Sequence, residues 1–244
     1  MRAILISVFV GVFASAFESV AIYDVSYSFF TLGEAQAMLK IDGDSYVTSV
    51  SAKAGGLVGV FSNNRQESYM SEGKVLGEKL IPQKFEFKSS AGDKKTYMGV
   101  FFDHDNAQAT IMREQCDEDK CEYETIMAQD ENYTTEDILT LYHNVTHNFI
   151  KSGQKQITVK AFGSRKSVKI ELPEGKRLET AKELFDDRGG HYLVVLLNQK
   201  IFTSNEGELY VRLDDDNIAT EAVLKDTLLF GDIVGKLREK RVTP

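Results

Sequence analysis

The alternating stretch Tyr23-Asp24-Val25-Ser26-Tyr27-Ser28-Phe29 decides the fold, because its odd positions are apolar and its even positions are polar. Successive side chains of a β-strand point to opposite faces, so this period of two predicts a strand with one buried face. Residues 35–41 largely repeat the phase, Asp42-Gly43-Asp44 supplies a turn, and residues 46–52 alternate again. The sequence therefore predicts an antiparallel meander that buries one face.

Similar apolar segments, separated by turn residues, predict further strands along the chain. They cover residues 66–71, 74–80, 83–89, 95–102, 156–162, 167–172, 192–201, 208–213 and 218–226. Residues 55–61 break the pattern as a short helix or a loop, and they lack the Gly-Lys-Ser/Thr ending of a phosphate-binding loop. We expect a mainly β (α+β) fold with a single β-rich domain over residues 17–244.

One long helix is predicted over Thr135–Lys151. Residues 134–137 supply a capping hydroxyl and early acids, and Gly153 ends the helix. Apolar side chains recur at i, i+3 and i+4 spacing and form one stripe: Ile138, Leu141, Tyr142, Val145 and Phe149. A shorter amphipathic segment, Leu178–Phe185, lies among the later strands.

The N-terminus has the three-part pattern of a signal peptide over residues 1–16. Arg2 precedes about ten mostly apolar residues, and Ala14-Ser15-Ala16 supplies small residues for the peptidase. The apolar run is shorter than the roughly 20 residues that a membrane span needs. An uncleaved anchor or a buried first strand is the alternative. With no cysteine near the cleavage site, we expect a soluble periplasmic protein that begins near Phe17 and keeps no stable membrane span.

The composition and net charge of the chain indicate which classes of binding partner are disfavoured. The 244-residue chain carries a net charge of −8, which becomes −9 when Arg2 is removed with the signal peptide. Nucleic acids and anionic membrane surfaces attract clustered Lys and Arg, so this acidic chain predicts no nucleic-acid partner. Hydrophobic residues make up 42% of the chain, which is ordinary for a folded globular protein.

The two cysteines, Cys116 and Cys121, lie between alternating segments that suit the arms of a β-hairpin. An exported protein meets an oxidising compartment, so a structural disulfide is predicted, with a stabilisation on the order of 2 kcal/mol. A redox couple is the less favoured alternative, because redox motifs of the thioredoxin type have two intervening residues rather than four. A metal site is also disfavoured, because it would need ligands beyond the two cysteines.

Other residue constellations carry little chemistry. His143 and His147 have zinc-compatible i, i+4 spacing, but they lie opposite the apolar stripe, so we expect both to face solvent. Residues 214–217 lack the spacing, glycine and closing glutamate of a calcium loop and predict a solvated turn. Asn132 heads an N-glycosylation tripeptide, whereas Asn144 heads another whose Val145 is predicted to be buried. We therefore predict no enzyme, no metal and no cofactor, and Asn132 as the candidate glycosylation site.

The chain resembles a bacterial exported family known as domain of unknown function 3108, over about Tyr23 to Asp226. Short strand and turn motifs carry the resemblance: Tyr23-Asp24-Val25-Ser26-Tyr27, Leu32-Gly33-Glu34-Ala35, Ser51-Ala52-Lys53-Ala54-Gly55-Gly56-Leu57, Ser71-Glu72-Gly73, Leu80-Ile81-Pro82 and Gly207-Glu208-Leu209-Tyr210-Val211-Arg212-Leu213. The chain departs from the family pattern at Ala219, where a strand-leading proline is frequent.

The resemblance implies a cell-envelope protein built like the lipoprotein-localisation carriers, with a curved antiparallel sheet or open barrel packed around one long helix. That architecture implies an apolar or lipid-like ligand between sheet and helix. The predicted ligand-binding residues are Tyr23, Tyr27, Phe29, Leu39, Tyr142 and Phe149. A closed core made of the same residues, an envelope protein–protein interaction module that pairs through a sheet edge, and a hydrolase are the alternatives.

Overall fold

The computed structural model describes residues 16–27, 30–55, 59, 62–162, 167–197, 207–227 and 231–243. Residues 1–15 of the predicted signal peptide, Phe29 and most of residues 55–61 lie outside the described residues. Within these ranges one antiparallel sheet has fourteen strands. They are β1 Phe17–Tyr27, β2 Phe30–Asp42, β3 Ser45–Ala54, β4 Gln66–Leu76, β5 Lys79–Ala91, β6 Lys94–Asp103, β7 Gln108–Asp117, β8 Lys120–Ala128, β9 Gln156–Val159, β10 Val168–Glu171, β11 His191–Leu197, β12 Gly207–Leu213, β13 Ala219–Thr227 and β14 Gly231–Thr243.

The sheet consists of two meanders that meet where the first and last strands pair. Its strand order is β8-β7-β6-β5-β4-β3-β2-β1-β14-β13-β12-β11-β10-β9. The junction pairs β1 with β14 over most of their lengths, from Glu18 opposite Thr243 to Tyr27 opposite Ile233. The predicted antiparallel meander and mainly β class are confirmed, and one continuous sheet runs through both halves of the chain.

Strand register places the predicted apolar positions on one face. Directly paired residues share a face of the sheet. One such row runs across seven strands and consists of Leu39, Thr48, Ser71, Phe85, Val100, Ile111 and Ile126. This face is the inner face, because Phe85, Val100 and Ile111 of this row are buried in a core that includes Leu139 of the helix.

The prediction of one long α-helix over Thr135–Lys151 is wrong. The helical segment α1 comprises an α-helix at Ile138–Asn144, a π turn at Val145–Phe149 and a last turn at Ile150–Ser152. It starts late because the residues before it pair with another segment: Phe162 donates its backbone N–H to the carbonyl of Glu136 at 2.8 Å. The α-helix ends early where the Thr146 hydroxyl donates to the carbonyl of Tyr142 at 3.0 Å, a local bond that competes with regular helix. Gly153, at φ 70°, ends α1 as predicted.

A second helix, α2 at Gly175–Leu184, covers the outer face of the C-terminal meander. Ala181 of α2 and the following Phe185 bury their side chains against Val194, Tyr210 and Val223 of three neighbouring strands. The inner face of the same strands packs against α1, through Leu141, Val145 and Phe149. This half of the sheet is therefore sandwiched between two helical segments.

The sheet curls until its two edges approach each other. After β8 the chain forms a short 3₁₀ turn at Asp130–Asn132 and then runs beside the segment that follows β9. Asp137 and Phe162 form an isolated parallel bridge there, and Ile138 donates its N–H to the carbonyl of Phe162 at 3.0 Å. The result is an open barrel with α1 inside it.

Several predicted strand boundaries are wrong. The predicted strand at residues 74–80 spans two strands, because β4 ends at Leu76 and β5 begins at Lys79 after a turn at Gly77 with φ 62°. The whole of β14 was not predicted, because exposed charged side chains dominate its second half. The predicted turn at residues 214–217 is confirmed: the Asp214 carboxylate accepts the Ile218 N–H at 2.9 Å.

Candidate functional site

A cavity of about 830 Å³ lies between α1 and the inner faces of β1–β3 and β13–β14. Alternate residues of β1 form one wall, from Phe17 to Val25. Those eight residue steps at about 3.3 Å each give the wall a length of roughly 26 Å. The cavity is therefore long as well as apolar.

Small side chains leave this volume unfilled. The strands around the cavity present alanine, serine and glycine inward: Ser19, Ala21, Ala35, Ala37, Ala219, Ala222 and Gly235. Protein interiors are otherwise close-packed, so a row of small residues on adjoining strands leaves a space that α1 does not fill. On β5, three strands from β2 in the same sheet, the inward side chain of Phe85 fills the space between sheet and helix and has no exposed surface.

Tyr142 brings a polar group from α1 to the cavity wall. Its hydroxyl accepts the N–H of Ala219 at 3.1 Å and lies 3.5 Å from the carbonyl of Asn217. The side chain lines the cavity, and 36% of the residue surface is accessible. Burial raises the pKa of Tyr142 to about 12 and that of the nearby Tyr23 still further, so both hydroxyls are neutral at ordinary pH.

His143 also faces the cavity, and the prediction that it faces solvent is wrong. Its Nε2 lies 2.9 Å from the hydroxyl of Thr48, a residue of β3 that is 1% exposed. Burial lowers the pKa of the His143 imidazole to about 4, so the ring is neutral at ordinary pH. The curled sheet surrounds α1, and the side of the helix opposite the apolar stripe therefore meets strands rather than water.

His147 marks the rim of the cavity and is exposed as predicted. Its Nε2 lies 3.5 Å from the Glu78 carboxylate and 3.0 Å from the Lys151 amine. The Glu78 side chain is 62% exposed and that of His147 is 41% exposed. The lysine lowers the pKa of the Glu78 carboxyl below its usual range. The two histidines of the zinc-like spacing thus have separate environments and separate partners.

A buried polar network fixes α1 against the sheet. The Asp137 carboxylate accepts the N–H groups of Leu139 and Thr140 at 2.8 Å and 3.0 Å and caps the helix. It also accepts the Ser71 hydroxyl at 2.6 Å, and since the single Ser71 proton is used there, Tyr46 donates to Ser71 at 3.0 Å. Burial raises the pKa of the Asp137 carboxyl despite these bonds. Ser71 is fully buried, so this Tyr–Ser–Asp row serves the helix terminus.

A second anchor lies two turns along α1. The Asn144 side chain accepts the N–H of Leu80 at 2.9 Å and donates to the carbonyl of Leu80 at 2.9 Å. It also donates to the Glu136 carboxylate at 3.1 Å. These bonds bury Asn144, which agrees with the expectation that it is the poorer glycosylation acceptor. The orientation of α1, and with it the positions of Tyr142 and His143, is set by both anchors.

The structure places half of the predicted ligand-binding residues at the cavity. Tyr23, Leu39 and Tyr142 line it. Tyr27 lies at the end of β1, beyond the residues that line the cavity, and Phe149 is 4% exposed in the core beside α1. Phe29 lies outside the described residues. Thr48 and His143 were missed, because a sequence does not reveal which strand a helix side chain meets.

The predicted hairpin of β7 and β8 carries the two cysteines. Cys116 and Cys121 are direct cross-strand partners and are joined by a disulfide in the structure. The other candidate glycosylation residue, Asn132, is exposed in the 3₁₀ turn, and its modification stays a prediction. Among the described residues, neither helix has the length and apolarity needed to cross a membrane.

Comparison with known proteins agrees with the barrel-like architecture. The chain is similar to the crystal structure of a "beta-barrel-like protein of domain of unknown function DUF1849" from Brucella abortus, with a TM-score of 0.56 and 10% identity. The superposition covers 93% of this chain and 98% of that chain, so the likeness is one of fold. No curated protein matches the chain. The family model described as "Protein of unknown function (DUF3108)" matches residues 22–238, and the chain belongs to that family.

Proposed function

We propose that this protein is a non-enzymatic binding protein of the bacterial periplasm that holds an apolar or lipid-like ligand in the cavity beside α1. The cavity of about 830 Å³ carries the proposal. Ligand pockets commonly enclose roughly 300–1,000 Å³ and combine an apolar lining with a few placed polar groups. The wall of alanines with Tyr142, His143 and Thr48 has this composition.

The wall also matches an elongated ligand. Its length of roughly 26 Å along β1 suits an extended hydrocarbon chain better than a compact ring system. The exposed Glu78 and His147 at the rim give a polar mouth through which such a chain enters. An apolar chain buried there gains about 25 cal/mol for each Å² removed from water.

Export to the periplasm is the second part of the proposal. It rests on the signal-peptide pattern of residues 1–16 and on the disulfide between Cys116 and Cys121, which persists in an oxidising compartment. N-terminal sequencing of protein purified from the native envelope should begin near Phe17. A sequence that begins at Met1 would contradict cleavage of the signal peptide.

The binding function is tested by the compounds that co-purify with the protein. Protein purified from native envelope without detergent should release a lipid-like compound into organic solvent, detected by mass spectrometry. The Ala37→Phe variant adds a ring inside the cavity, between Ala21 and Val50, and should carry much less of the compound. Lys40→Phe places the same ring at an exposed position of the same strand and serves as the matched control. Equal extracts from all three proteins, or none from any, would count against the proposal.

A second candidate function, protein–protein interaction, is favoured by an apolar patch on the outer face of β6–β8. Four large apolar residues are exposed there, namely Phe101 (38%), Met112 (44%), Tyr123 (74%) and Met127 (55%). Their register puts them on one face next to β8, which is an edge strand among the described residues and to which a further strand can pair. A photo-crosslinker at position 127 that captures one defined envelope protein, while the solvent extract holds no lipid, would favour this candidate.

A further inference from the structure

In the part of the chain that the structure describes, two polar groups on the cavity wall are without a protein hydrogen-bond partner. Within the described residues, the Tyr23 hydroxyl neither donates nor accepts a hydrogen bond, although the side chain is largely enclosed and lines the cavity. Tyr23 is half-buried, and a hydrogen bond between its hydroxyl and a molecule in the cavity would contribute about 0.5–1.5 kcal/mol. A donor that faces an apolar cavity is therefore a position where a ligand atom can bind.

The second unpaired group follows from the hydrogen bonds of Thr48. The Thr48 hydroxyl lies 2.9 Å from the carbonyl oxygen of Met38, which can only accept, so the hydroxyl proton is used in that bond. The same oxygen lies 2.9 Å from Nε2 of His143 and must accept there. Nε2 of the neutral ring thus carries the proton, and Nδ1 carries a lone pair. Among the described residues, nothing donates a hydrogen bond to Nδ1.

The charged groups of the cavity lining lie at its rim. Glu78 pairs with His147 and Lys151, and Asp216 pairs with Lys240 at 2.7 Å. The Glu78 and Asp216 side chains are both 62% exposed. The polar groups deeper along the wall, Tyr23 and His143, are neutral, because burial disfavours their charged forms. Nothing in the described interior compensates a buried ionic head group, whose desolvation is costly.

We infer that the ligand is an uncharged amphiphile with an alkyl chain and a hydroxyl head, and that this hydroxyl accepts from Tyr23 and donates to Nδ1 of His143. A hydroxyl is the simplest group that satisfies both unpaired atoms, because it has one donor and two acceptor positions. Tyr142 is a neighbour of both residues: its ring is 5.2 Å from that of His143, and it is close enough to Tyr23 to raise the pKa of that residue. The inference rests on the proposed binding function.

The test uses four probes with the same alkyl chain length and different heads. Tetradecan-1-ol donates and accepts, 1-methoxytetradecane only accepts, tetradecane does neither, and tetradecanoate is charged. Each displaces the neutral dye Nile red from the intact wild-type protein in a fluorescence titration. The alcohol should bind about tenfold more tightly than the ether, which corresponds to one hydrogen bond of about 1.4 kcal/mol. Tetradecanoate should be the weakest of the polar probes.

Two variants separate the two contacts. Tyr23→Phe removes the donor and should weaken the alcohol and the ether alike, about fivefold, with little effect on tetradecane. His143→Phe removes the acceptor and should abolish the difference between alcohol and ether. Tyr123→Phe and His191→Phe, which change the same residue types at exposed positions outside the cavity, should leave every ratio unchanged.

The hydroxyl head group and the binding function of the cavity can fail separately. Equal binding of alcohol and ether to the wild type, or tightest binding of tetradecanoate, would overturn the hydroxyl assignment while Nile red still reports an apolar site. If Nile red binds the wild type and Ala37→Phe equally, the cavity is not the binding site, and both proposals fail. The wild-type comparison of alcohol with ether needs no variant, so it decides the matter even if Tyr23→Phe does not fold.

Discussion

The interior of the protein has two regions that differ in how completely side chains fill them. Both lie between the inner face of the sheet and α1. Around β5 and β6 the inward residues are large, and Phe85 and Val100 have no exposed surface. Around β1, β2 and β14 the inward residues are small, and a cavity of about 830 Å³ remains. Side-chain volume, rather than topology, therefore decides where the interior of this barrel is a packed core and where it encloses a cavity.

The side chains of α1 likewise divide between the packed core and the cavity. Leu141 of α1 packs into a closed core cluster and is less than a tenth exposed. Tyr142 and His143, which follow directly, face the cavity. The part of α1 that the curled sheet encloses has no solvent face, so the polar side chains there meet either strands or an internal space.

Removing a large side chain from the filled region should have the largest effect. Phe85→Ala should lower the free energy of unfolding by about 3–5 kcal/mol, because it leaves a new void in a packed core. Leu39→Ala, at the cavity wall, should cost less than about 2 kcal/mol, because its neighbours already border empty space. Urea unfolding of both variants measures the difference. Equal losses would show that the two regions are packed alike.

Acidification should destabilise the cavity region through His143. Its pKa is about 4 in the folded protein and 6.5 ordinarily, so the unfolded chain binds a proton that the folded one excludes. The resulting stability is complete above pH 6.5 and is lost as the pH falls to 4, by up to about 3 kcal/mol. His143→Gln should flatten this slope in urea unfolding across that range, and His147→Gln, at the exposed rim, should not.

The half-buried Glu136 and the buried Asp137 change stability in the opposite direction. Burial raises the pKa of Glu136 and of Asp137, so the contribution of both to stability increases as the pH falls. These two groups are present in wild type and variant alike. The difference between His143→Gln and wild type therefore isolates the histidine, and parallel curves would contradict its enclosed, neutral state.

The smallest effect is expected at the disulfide, which lies away from both regions. The Cys116→Ser, Cys121→Ser double variant should lose about 2 kcal/mol or less, because the bond closes a short loop. Its Nile red affinity should equal that of the wild type, since neither cysteine lines the cavity. Chemical denaturation and dye titration give both values. A large loss of dye binding would mean that the hairpin shapes the cavity after all.

Local patterns predicted the parts of this fold that depend on local rules. The period of two at residues 23–27, the turn at residues 42–44 and the cysteine hairpin each follow from neighbouring residues. The pairing of β1 with β14 joins residues more than 200 positions apart, such as Glu18 and Thr243, and has no local signal. The prediction that His143 is exposed assumed that the helix lies on the protein surface. The sheet instead curls around α1, so His143 faces β3.

The cavity was the least predictable feature of the site. Tyr23, Leu39 and Tyr142 were predicted from an apolar alternation and an apolar stripe. The empty volume depends instead on alanines of β1, β2 and β13 that face one another only after fourteen strands have curled. Each alanine alone is an ordinary strand residue, and the polar contact of His143 with Thr48 spans 95 positions.

The most direct test of the account is a Nile red titration of the wild type, Ala37→Phe and Lys40→Phe, with urea unfolding of each as a check on folding. The wild type and Lys40→Phe should bind the dye saturably. Ala37→Phe should bind the dye with an affinity at least about tenfold lower, while its stability stays within about 1 kcal/mol of the wild type. Ala37→Phe that is stably folded and binds the dye as tightly as the wild type would contradict the claim that the cavity is a binding site.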